Sequence, residues 1–337
     1  MSGAAPQTRF TRIRKPRKMK RPKIHLLAAL AAAVFVLFTA SPARAAKLTT
    51  VATFDPTKSQ IPENIVIDRD NNLYVSLLLS NEVQKITPEG VQTTYATFNG
   101  APGSLTAGLV IDDNTGDLFV AYDPVGQNSV IYVVHPDQSQ QVFATFPAGA
   151  GLDGMTPDFF GNLYLADAFL GYVWRVSAFG GTPEIWLDMH APGSLQAPGP
   201  NGIKFDLFQQ NLYVSVSYQG TIYRIPMKGT GAAGTPVVYA SNMTPDDFAF
   251  DLLGNLYVAT EPSLSVVRIF PNGTQETIAS AADGLENTSA VLFGRNGAAI
   301  LDLYILSAAE PPVPTSHREF ICSTWDCRDS RSASRNN

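Results

Sequence analysis

The chain has 337 residues, of which 45% are apolar and 16% are charged, and its formal net charge is −5. A chain of this length and apolar content can bury a large core, and it suits one sizeable domain better than two small ones. The 26 Gly and 24 Pro residues and the many aromatic residues favour an all-β protein of short strands joined by turns.

The first 45 residues have the pattern of a signal peptide. Residues 1–24 contain nine basic residues and no acidic one, residues 26–40 form an apolar run, and residues 43–45 read Ala-Arg-Ala. This pattern predicts export to the periplasm or the extracellular space, with cleavage after Ala45. An uncleaved anchor is the alternative, although the apolar run is short for a membrane span.

Removal of residues 1–45 leaves an acidic chain. Ten of the 24 basic residues and none of the 29 acidic residues lie in this segment, so the remainder has 14 basic against 29 acidic residues, a net charge of −15. This charge argues against binding to nucleic acid or to an anionic membrane, and it favours attraction of cations. We expect no nucleic acid partner and no membrane association after cleavage, and we predict a monomer.

One sequence motif recurs along the chain. It consists of a polar residue, a short apolar stretch, Asp, a turn with Gly or Asn, and a segment similar to Leu-Tyr-Val. Each copy has two parts, and the six copies lie at residues 63–68 and 73–75, 108–112 and 118–120, 153–158 and 163–165, 201–206 and 212–214, 246–251 and 256–258 and, less regularly, 290–293 and 303–305. The aromatic residues of successive Leu-Tyr pairs lie 45, 45, 49, 44 and 47 residues apart. Because this spacing fits a four-stranded blade, the repeat predicts a six-bladed β-propeller over residues 46–309.

The start of the exported chain repeats a later strand of the pattern. Residues 51–54 read Val-Ala-Thr-Phe, and Ala-Thr-Phe also occurs at 96–98 and 144–146, where we predict the fourth strands of the first two blades. Since residues 51–54 precede the first inner strand, they are predicted to be the fourth strand of the last blade. This arrangement closes the ring and removes a sheet edge.

The repeat ends near residue 309. Pro311, Pro312 and Pro314 interrupt regular structure, and residues 323–337 are polar and rich in Arg. We predict that residues 310–337 form an irregular, disordered tail, from which residues 318–322 could supply a third strand to the last blade.

The candidate site lies just before the inner strands, because the first strand of each blade lines the channel of a propeller. Counting five residues back from each turn Asp gives Glu63, Ala107, Asp153, Asn201 and Asp246, with Asn287 or Thr288 at the sixth place. Carboxylate and amide oxygens from several directions suit a hard cation such as calcium. The alternative is that these are turn residues, since Asn-Gly and Asp-Gly favour turns, but Glu is not a favoured turn residue.

Three segments at these positions resemble the metal-binding segments of the senescence-marker protein/gluconolactonase (regucalcin-like) propellers. They are Pro62-Glu63-Asn64, Pro200-Asn201-Gly202 and Pro245-Asp246-Asp247. The resemblance covers about residues 47–309, and paraoxonases and strictosidine-synthase-like propellers are more distantly similar in shape.

The resemblance implies one divalent cation, with calcium as the favoured ion, held by Glu63, Asn201 and Asp246. Asp246 would also act as the catalytic base toward water, and Asp153 would face the substrate where the family has an Asn. Asp247 is predicted to contact the substrate as well. The implied activity is hydrolysis of a small-molecule lactone or related ester.

The chain departs from the family at one place. Sugar lactonases carry an Arg two residues before the substrate-facing Asn, and here that position is Gly151. This difference argues against a sugar lactone as the substrate. It also keeps open an alternative function, a non-catalytic propeller that binds a glycan, peptide or protein at the channel mouth, because the fold alone does not distinguish the two functions.

Overall fold

The computed structural model describes residues 48–190, 199–308 and 320–326, and the predicted signal peptide lies outside them. The strands are β1 (Thr49–Phe54), β2 (Pro62–Ile67), β3 (Leu73–Leu77), β4 (Glu82–Ile86), β5 (Gln92–Thr97), β6 (Leu105–Ile111), β7 (Leu118–Asp123), β8 (Val130–Val134), β9 (Gln140–Thr145), β10 (Leu152–Pro157), β11 (Leu163–Asp167), β12 (Tyr172–Val176), β13 (Glu184–Asp188), β14 (Pro200–Phe205), β15 (Asn211–Val216), β16 (Thr221–Pro226), β17 (Val237–Ser241), β18 (Pro245–Phe250), β19 (Leu256–Thr260), β20 (Ser265–Ile269), β21 (Gln275–Ala279), β22 (Asn287–Phe293), β23 (Asp302–Ala308) and β24 (Phe320–Asp326). None of the helices in the described part of the chain is long and apolar enough to cross a membrane.

These strands form six four-stranded sheets. Blades one to five each take four consecutive strands, from β2–β5 to β18–β21, and the closing sheet has the order β1-β24-β23-β22. The inner strands β2, β6, β10, β14, β18 and β22 form a ring, since each contacts the next and β22 contacts β2. The predicted all-β propeller with four-stranded blades is confirmed.

Strand β1 joins the two ends of the described chain. It pairs antiparallel with β24, from Thr49 opposite Thr324 to Phe54 opposite Phe320. Ala52 and Phe54 are buried in one apolar cluster with Ile65 of the first blade. The Ala-Thr-Phe segment therefore lies in the last sheet, where its sequence pattern places it.

Strand β24 corrects the prediction for part of the C-terminal segment. Residues 310–337 were expected to be irregular, with a third strand over 318–322 at most, but residues 320–326 pair with β23 on one side and β1 on the other. Without this strand, the facing edges of β23 and β1 would both leave backbone N–H and C=O groups unpaired. The rest of this segment lies outside the described residues.

The Asp of the repeat holds the turn at the end of the inner strand. Asp68 accepts the backbone N–H groups of Asp70 and Asn72 at 2.9 Å each, and its second oxygen accepts the Asn72 amide at 2.8 Å. The same contact of the Asp with the side-chain amide of a following Asn occurs at Asp158–Asn162, Asp206–Asn211 and Asp251–Asn255. A short polar side chain that binds its own turn explains why the repeat carries Asp here.

The Leu-Tyr pairs build the core between neighbouring strands. The Leu side chains are buried, and the Tyr rings meet aromatic rings of the fourth strand edge to face, with centroids 4.9 Å apart for Tyr74 and Tyr95, and 5.2 Å apart for Tyr164 and Trp186. Such T-shaped pairs are a preferred aromatic geometry. The repeated aromatic residues are therefore core residues.

Every inner strand carries a β-bulge near its start. The two bulge residues are Glu63-Asn64, Ala107-Gly108, Asp153-Gly154, Asn201-Gly202, Asp246-Asp247 and Ser289-Ala290. A Cβ atom on Gly154 would lie 2.7 Å from the Asn201 carbonyl oxygen, and one on Gly202 would lie 2.6 Å from the Asp246 carbonyl oxygen. Gly at the second bulge position thus allows neighbouring inner strands to approach closely.

The register also corrects the sixth position of the predicted site. Thr288 pairs with Ser307, and Val291 pairs with Ile305, so the bulge residue equivalent to Asp246 is Ser289 rather than Asn287 or Thr288. The prediction failed because the sixth inner strand ends without a turn Asp from which to count.

Candidate functional site

The first bulge residues of four inner strands are the predicted site residues. Glu63, Asp153 and Asn201 are half-buried, and Asp246 is only 5% exposed. The structure brings Glu63, Asp153 and Asp246 close enough for the charge of one carboxylate to act on the next. The sequence therefore selected residues that meet at the channel mouth.

Burial and mutual repulsion disfavour negative charge at this mouth. Burial raises the pKa of the Glu63 carboxyl well above its ordinary value, and the charges of Asp153, Glu261 and Asp247 raise it further. Burial likewise raises the pKa of Asp246, followed by the charges of Glu63, Asp153 and Glu261. No positive charge is among the groups that shift the pKa of Glu63 or Asp246, so both carboxyls lie in surroundings that favour a bound cation.

Asp153 has a positively charged neighbour as well as negatively charged ones. Burial and the charge of Asp247 raise the pKa of its carboxyl, whereas the positive charge of Lys204 lowers it, and the result is about 7. Lys204 therefore supplies part of the charge compensation on the side of the mouth where Asp153 lies.

Asn201 has an unsatisfied side-chain oxygen. Its Oδ1 atom is buried and accepts no hydrogen bond from the described residues. The neighbouring backbone is held in place, because the Gly202 N–H donates to the Ser215 hydroxyl at 2.7 Å. Buried polar atoms are nearly always paired, so one without a partner calls for an explanation such as a water or an ion. An oxygen without a partner beside buried carboxylates fits the oxygen ligand set of a hard cation.

A metal site built from acidic, His or Cys side chains alone is not seen. Among the described residues, no three or more such side chains are placed so that they could hold a metal ion. The predicted set differs from this type because it combines two carboxylates with the Asn201 amide. Calcium binding by this set stays a prediction.

Glu261 is a member of the cluster that the sequence-based reasoning missed. It follows β19 directly, accepts a hydrogen bond from the Asn287 amide at 3.0 Å, and shares a hydrogen bond with Asp246 that raises the pKa of Asp246. A signal was present in the repeat, because the corresponding positions are Leu78, Asp123, Ala168 and Ser217, and only the second and fifth blades carry a carboxylate there.

Asp247 lies in a network of polar side chains on the inner strands. Its Oδ2 atom accepts the Lys204 ammonium at 2.7 Å and the Asn64 amide at 3.0 Å, and its Oδ1 atom accepts the Phe248 N–H at 2.8 Å. Asn64 and Asp247 belong to different blades, so this network joins inner strands across the ring. Both oxygens have partners within the protein, and a substrate contact by Asp247 stays a prediction.

Lys204 was also missed by the sequence-based reasoning. It is the charged residue at an inner-strand position where the other strands have Val66, Val110, Thr156, Ala249 and Leu292. Its Nζ atom lies 2.7 Å from Asp247, whose side chain is 5% exposed. The lone charged residue at one position of the repeat was therefore a usable signal for Lys204.

An aromatic side chain occupies the space next to Gly151. The Asp167 carboxylate accepts the N–H groups of Gly151 at 3.0 Å and Leu170 at 2.9 Å, and it thereby fixes the turn after β11 against the start of β10. A Cβ atom on Gly151 would overlap the ring of Phe169, which is itself 56% exposed. The position that is Arg in sugar lactonases is thus glycine here, and a phenyl ring covers it.

Asp123 supports the start of β10 from the neighbouring blade. Its Oδ2 atom accepts the Leu152 N–H at 2.9 Å, while its Oδ1 atom is buried and has no partner in the described ranges. Burial is the main cause that raises the pKa of this carboxyl to about 7. Asp123 therefore positions the backbone next to Asp153.

Comparisons with known proteins agree with this architecture. Residues 195–309 match the family described as SMP-30/Gluconolactonase/LRE-like region, which confirms the predicted resemblance over that part of the chain. We found no curated protein whose sequence matches this chain.

Several solved structures share the fold. A gluconolactonase from Xanthomonas campestris superposes with a TM-score of 0.64 at 18% identity, over 83% of this chain and 90% of that chain. The calcium-binding protein regucalcin from Agrobacterium tumefaciens gives a TM-score of 0.62 at 14% identity, over 81% and 95%. A virginiamycin B lyase from Staphylococcus aureus gives 0.54 at 17% identity, over 77% and 79%. At these identities the likeness shows the fold and leaves the activity to be argued from the site.

Proposed function

We propose that this propeller, which resembles the SMP-30/Gluconolactonase/LRE-like family over residues 195–309, is an exported, divalent-metal-dependent hydrolase of lactones or related esters. The observation that carries the proposal is the buried Oδ1 atom of Asn201, which has no partner among the described residues, on an inner strand next to that of the buried Asp246. In this proposed structure the six sheets are the six blades of one ring, and β1 closes the ring.

The residues that would hold the cation are Glu63, Asn201 and Asp246. All three offer oxygen atoms, and two of them offer negative charge in a buried place where no described basic side chain forms an ion pair with them. Oxygen-only ligands favour calcium over zinc or copper. A divalent cation bound there would act as a Lewis acid on the carbonyl group of the substrate.

The chemistry at the substrate also requires a proton acceptor. We assign this role to Asp246, because a carboxylate beside the substrate carbonyl can take a proton from the attacking water. The Glu261 carboxyl is hydrogen-bonded to Asp246 and orients it, and Asn287 in turn holds Glu261. Asp153 faces the substrate from the third blade.

The mouth next to Asp153 favours an apolar substrate. Phe169 presents a half-exposed ring over Gly151, where a guanidinium group would favour the hydroxyl groups of a sugar. A phenyl ring gains free energy by covering an apolar group and offers no hydrogen bond to a hydroxyl. The proposed substrates are therefore lactones or esters that carry an alkyl or aryl group.

Hydrolysis rates on a substrate panel test this function. The exported chain is stripped of metal, calcium is added back, and γ-lactones with alkyl chains, aryl esters and gluconolactone are compared. We expect calcium-dependent hydrolysis, with the largest kcat/KM for the alkyl lactones. Equal rates with and without metal would contradict metal dependence, and hydrolysis of gluconolactone alone would contradict the proposed substrate class.

The same panel addresses the binding-module alternative. If the calcium-loaded protein hydrolyses none of these compounds while a glycan or peptide binds at the mouth, the hydrolase proposal is wrong. Loss of that binding in a Phe169→Ala variant would locate the binding at the channel mouth.

A further inference from the structure

The turns between inner and second strands lie on the face opposite the channel mouth, since each inner strand starts at the mouth and ends at its turn. The turn between the third and fourth strands of a blade lies on the same face. Seven large apolar side chains are exposed on these turns in blades three to five: Phe159, Phe160, Phe179, Leu207, Phe208, Leu252 and Leu253. We call these seven residues the apolar turn cluster.

The exposure of this cluster is large. Phe179 is 97% exposed, Phe160 is 85% exposed, and Phe208 and Leu253 are both 76% exposed. With an aromatic side chain presenting about 150–250 Å² when fully exposed, the cluster offers on the order of 800 Å² of apolar surface to solvent. Monomeric proteins rarely expose contiguous apolar patches larger than a few hundred Å².

The turn itself does not require these residues. The positions of Phe159 and Phe160 are Arg69 and Asp70 in blade one. In both blades the turn Asp accepts the same backbone N–H groups, with Asp158 bonded to Phe160 N–H at 2.9 Å and Asp68 bonded to Asp70 N–H at 2.9 Å. Since polar residues form the same turn, the apolar ones do not serve the local fold.

Hydrogen bonds hold part of the backbone of this cluster. Gln209 bridges two blades, because its Oε1 atom accepts the Phe159 N–H at 2.6 Å and its Nε2 atom donates to the Pro157 carbonyl at 3.2 Å. The Leu253 N–H is bound by Asp251 at 2.9 Å. Apolar side chains on fixed backbone lose little conformational freedom when a partner covers them.

We propose that the apolar turn cluster is the interface of a homodimer, formed by the same cluster of a second copy of this chain. The exposed apolar area is close to the roughly 800 Å² that each partner contributes to a standard protein interface. An apolar patch is complementary to itself, and two-fold dimers with self-complementary patches are the commonest oligomers. This dimer would replace the monomer expected from the sequence.

The charges on the same face favour a second copy over a lipid surface. Blades one and two present Asp68, Asp70, Asp112 and Asp113 there against Arg69, while Arg295 of the sixth blade pairs with Asp113. This side of the face is therefore acidic on balance and would be repelled by anionic lipid headgroups. A two-fold axis through the turns of blade four brings the two clusters together and keeps the acidic turns of both copies at the outside. Both channel mouths then remain open to substrate.

The molar mass of the exported chain in solution tests the interface, by sedimentation equilibrium over a range of concentrations. We expect the mass of two chains for the wild type and of one chain for a Phe160→Asp/Phe208→Asp variant. Val238→Asp is the matched control, since Val238 is 60% exposed on the outer strand β17, and this variant should remain a dimer. A thermal melt of each variant checks that it is folded.

Three outcomes would overturn the proposal. The first is a wild-type protein that has the mass of one chain at every concentration. The second is a Phe160→Asp/Phe208→Asp variant that is folded and still dimeric. The third is a wild-type monomer that co-sediments with phosphatidylcholine vesicles through Phe160 and Phe208, which would make the cluster a lipid-binding surface.

Discussion

The two faces of this propeller are built from the same repeat and have opposite chemistry. At the mouth, the bulges place Glu63, Asp153 and Asp246 in buried surroundings that disfavour their charge. On the opposite face, Asp-anchored turns hold apolar side chains such as Phe160 and Phe208 in solvent. In both places the backbone is stabilised without the unusual side chains, as Ala107 in one bulge and Arg69 in one turn show.

This difference separates the role of the repeat from the role of its variable positions. The repeat supplies backbone geometry: an Asp for the turn, a Leu-Tyr pair for the core and a bulge at the channel. Residues that are costly where they lie, either buried charge or exposed apolar surface, need a compensating partner. We infer a cation for the mouth and a second copy for the turns.

The largest effect is expected from Asp246 at the mouth. Asp246→Asn keeps an oxygen ligand and loses a proton acceptor, so turnover should fall about 10²–10⁴-fold while metal affinity falls modestly. Glu63→Gln should instead weaken metal binding, and excess calcium should restore part of its rate. The turn-face variant Phe160→Asp/Phe208→Asp should keep wild-type kcat on the same lactone. Equal activity in all three variants would place the active site elsewhere.

The next effect concerns the network of polar side chains around Asp247. Lys204→Met leaves Asp247 buried without its cationic partner, and breaking a buried pair in this way costs about 3–5 kcal/mol of stability. Urea unfolding measures this loss. Asp247→Asn added to Lys204→Met should recover part of it, because no unpaired charge then remains. If Lys204→Met alone is as stable as the wild type, the Lys204–Asp247 contact does not stabilise the ring.

The pH dependence of the free energy of unfolding should reveal the raised pKa of Asp123. Its pKa is about 7 in the folded protein against an ordinary value near 3.8, so between these pH values the folded state binds a proton that the unfolded state has released. Stability from this group therefore falls as pH rises from about 4 to about 7. Asp123→Asn removes this loss, and its unfolding midpoint relative to the wild type should be higher at pH 8 than at pH 5. A difference independent of pH would contradict the raised pKa.

The smallest effect on stability is expected from a glycine at the mouth, compared with a glycine on the opposite face. Gly154→Ala forces a methyl group against the Asn201 carbonyl, 2.7 Å from the new Cβ, and overpacking of this kind costs about 1–3 kcal/mol. Gly229, in the turn between β16 and β17, has no heavy atom within 4 Å of such a Cβ, so Gly229→Ala should change stability little. Urea midpoints that fall equally in both variants would contradict the close strand approach at the mouth.

The repeat made most of the fold predictable, since turn Asp, Leu-Tyr pair and the Ala-Thr-Phe segment each have a local physical cause. Strand β24 was predicted only in part, as a possible third strand over residues 318–322, because it follows three prolines in a polar segment with no copy of the pattern. Counting back from the turn Asp selected Glu63, Asp153, Asn201 and Asp246, which are the first bulge residues of their strands, and their role as a site stays a prediction. The count failed at Ser289, where the inner strand has no turn Asp.

Contacts between strands set the limit of prediction for the rest of the site. Lys204 matters through Asp247 on the next blade, whereas Glu261 acts through Asp246 and Phe169 covers Gly151, each within one blade. The sequence shows Lys204 as the one charged residue at its repeat position, but the residue that each side chain meets depends on how the strands pack. The apolar turn cluster also depends on this packing, since its residues come from the turns of three successive blades, three to five.

Calcium titration calorimetry on the metal-stripped chain tests the central claim most directly. The account predicts one calcium ion per chain, loss of this binding in Asn201→Ala, and unchanged binding in Asn114→Ala, whose side chain is exposed in a turn on the opposite face. A wild-type chain that binds no divalent cation, or an Asn201→Ala variant that binds calcium as tightly as the wild type, would contradict it.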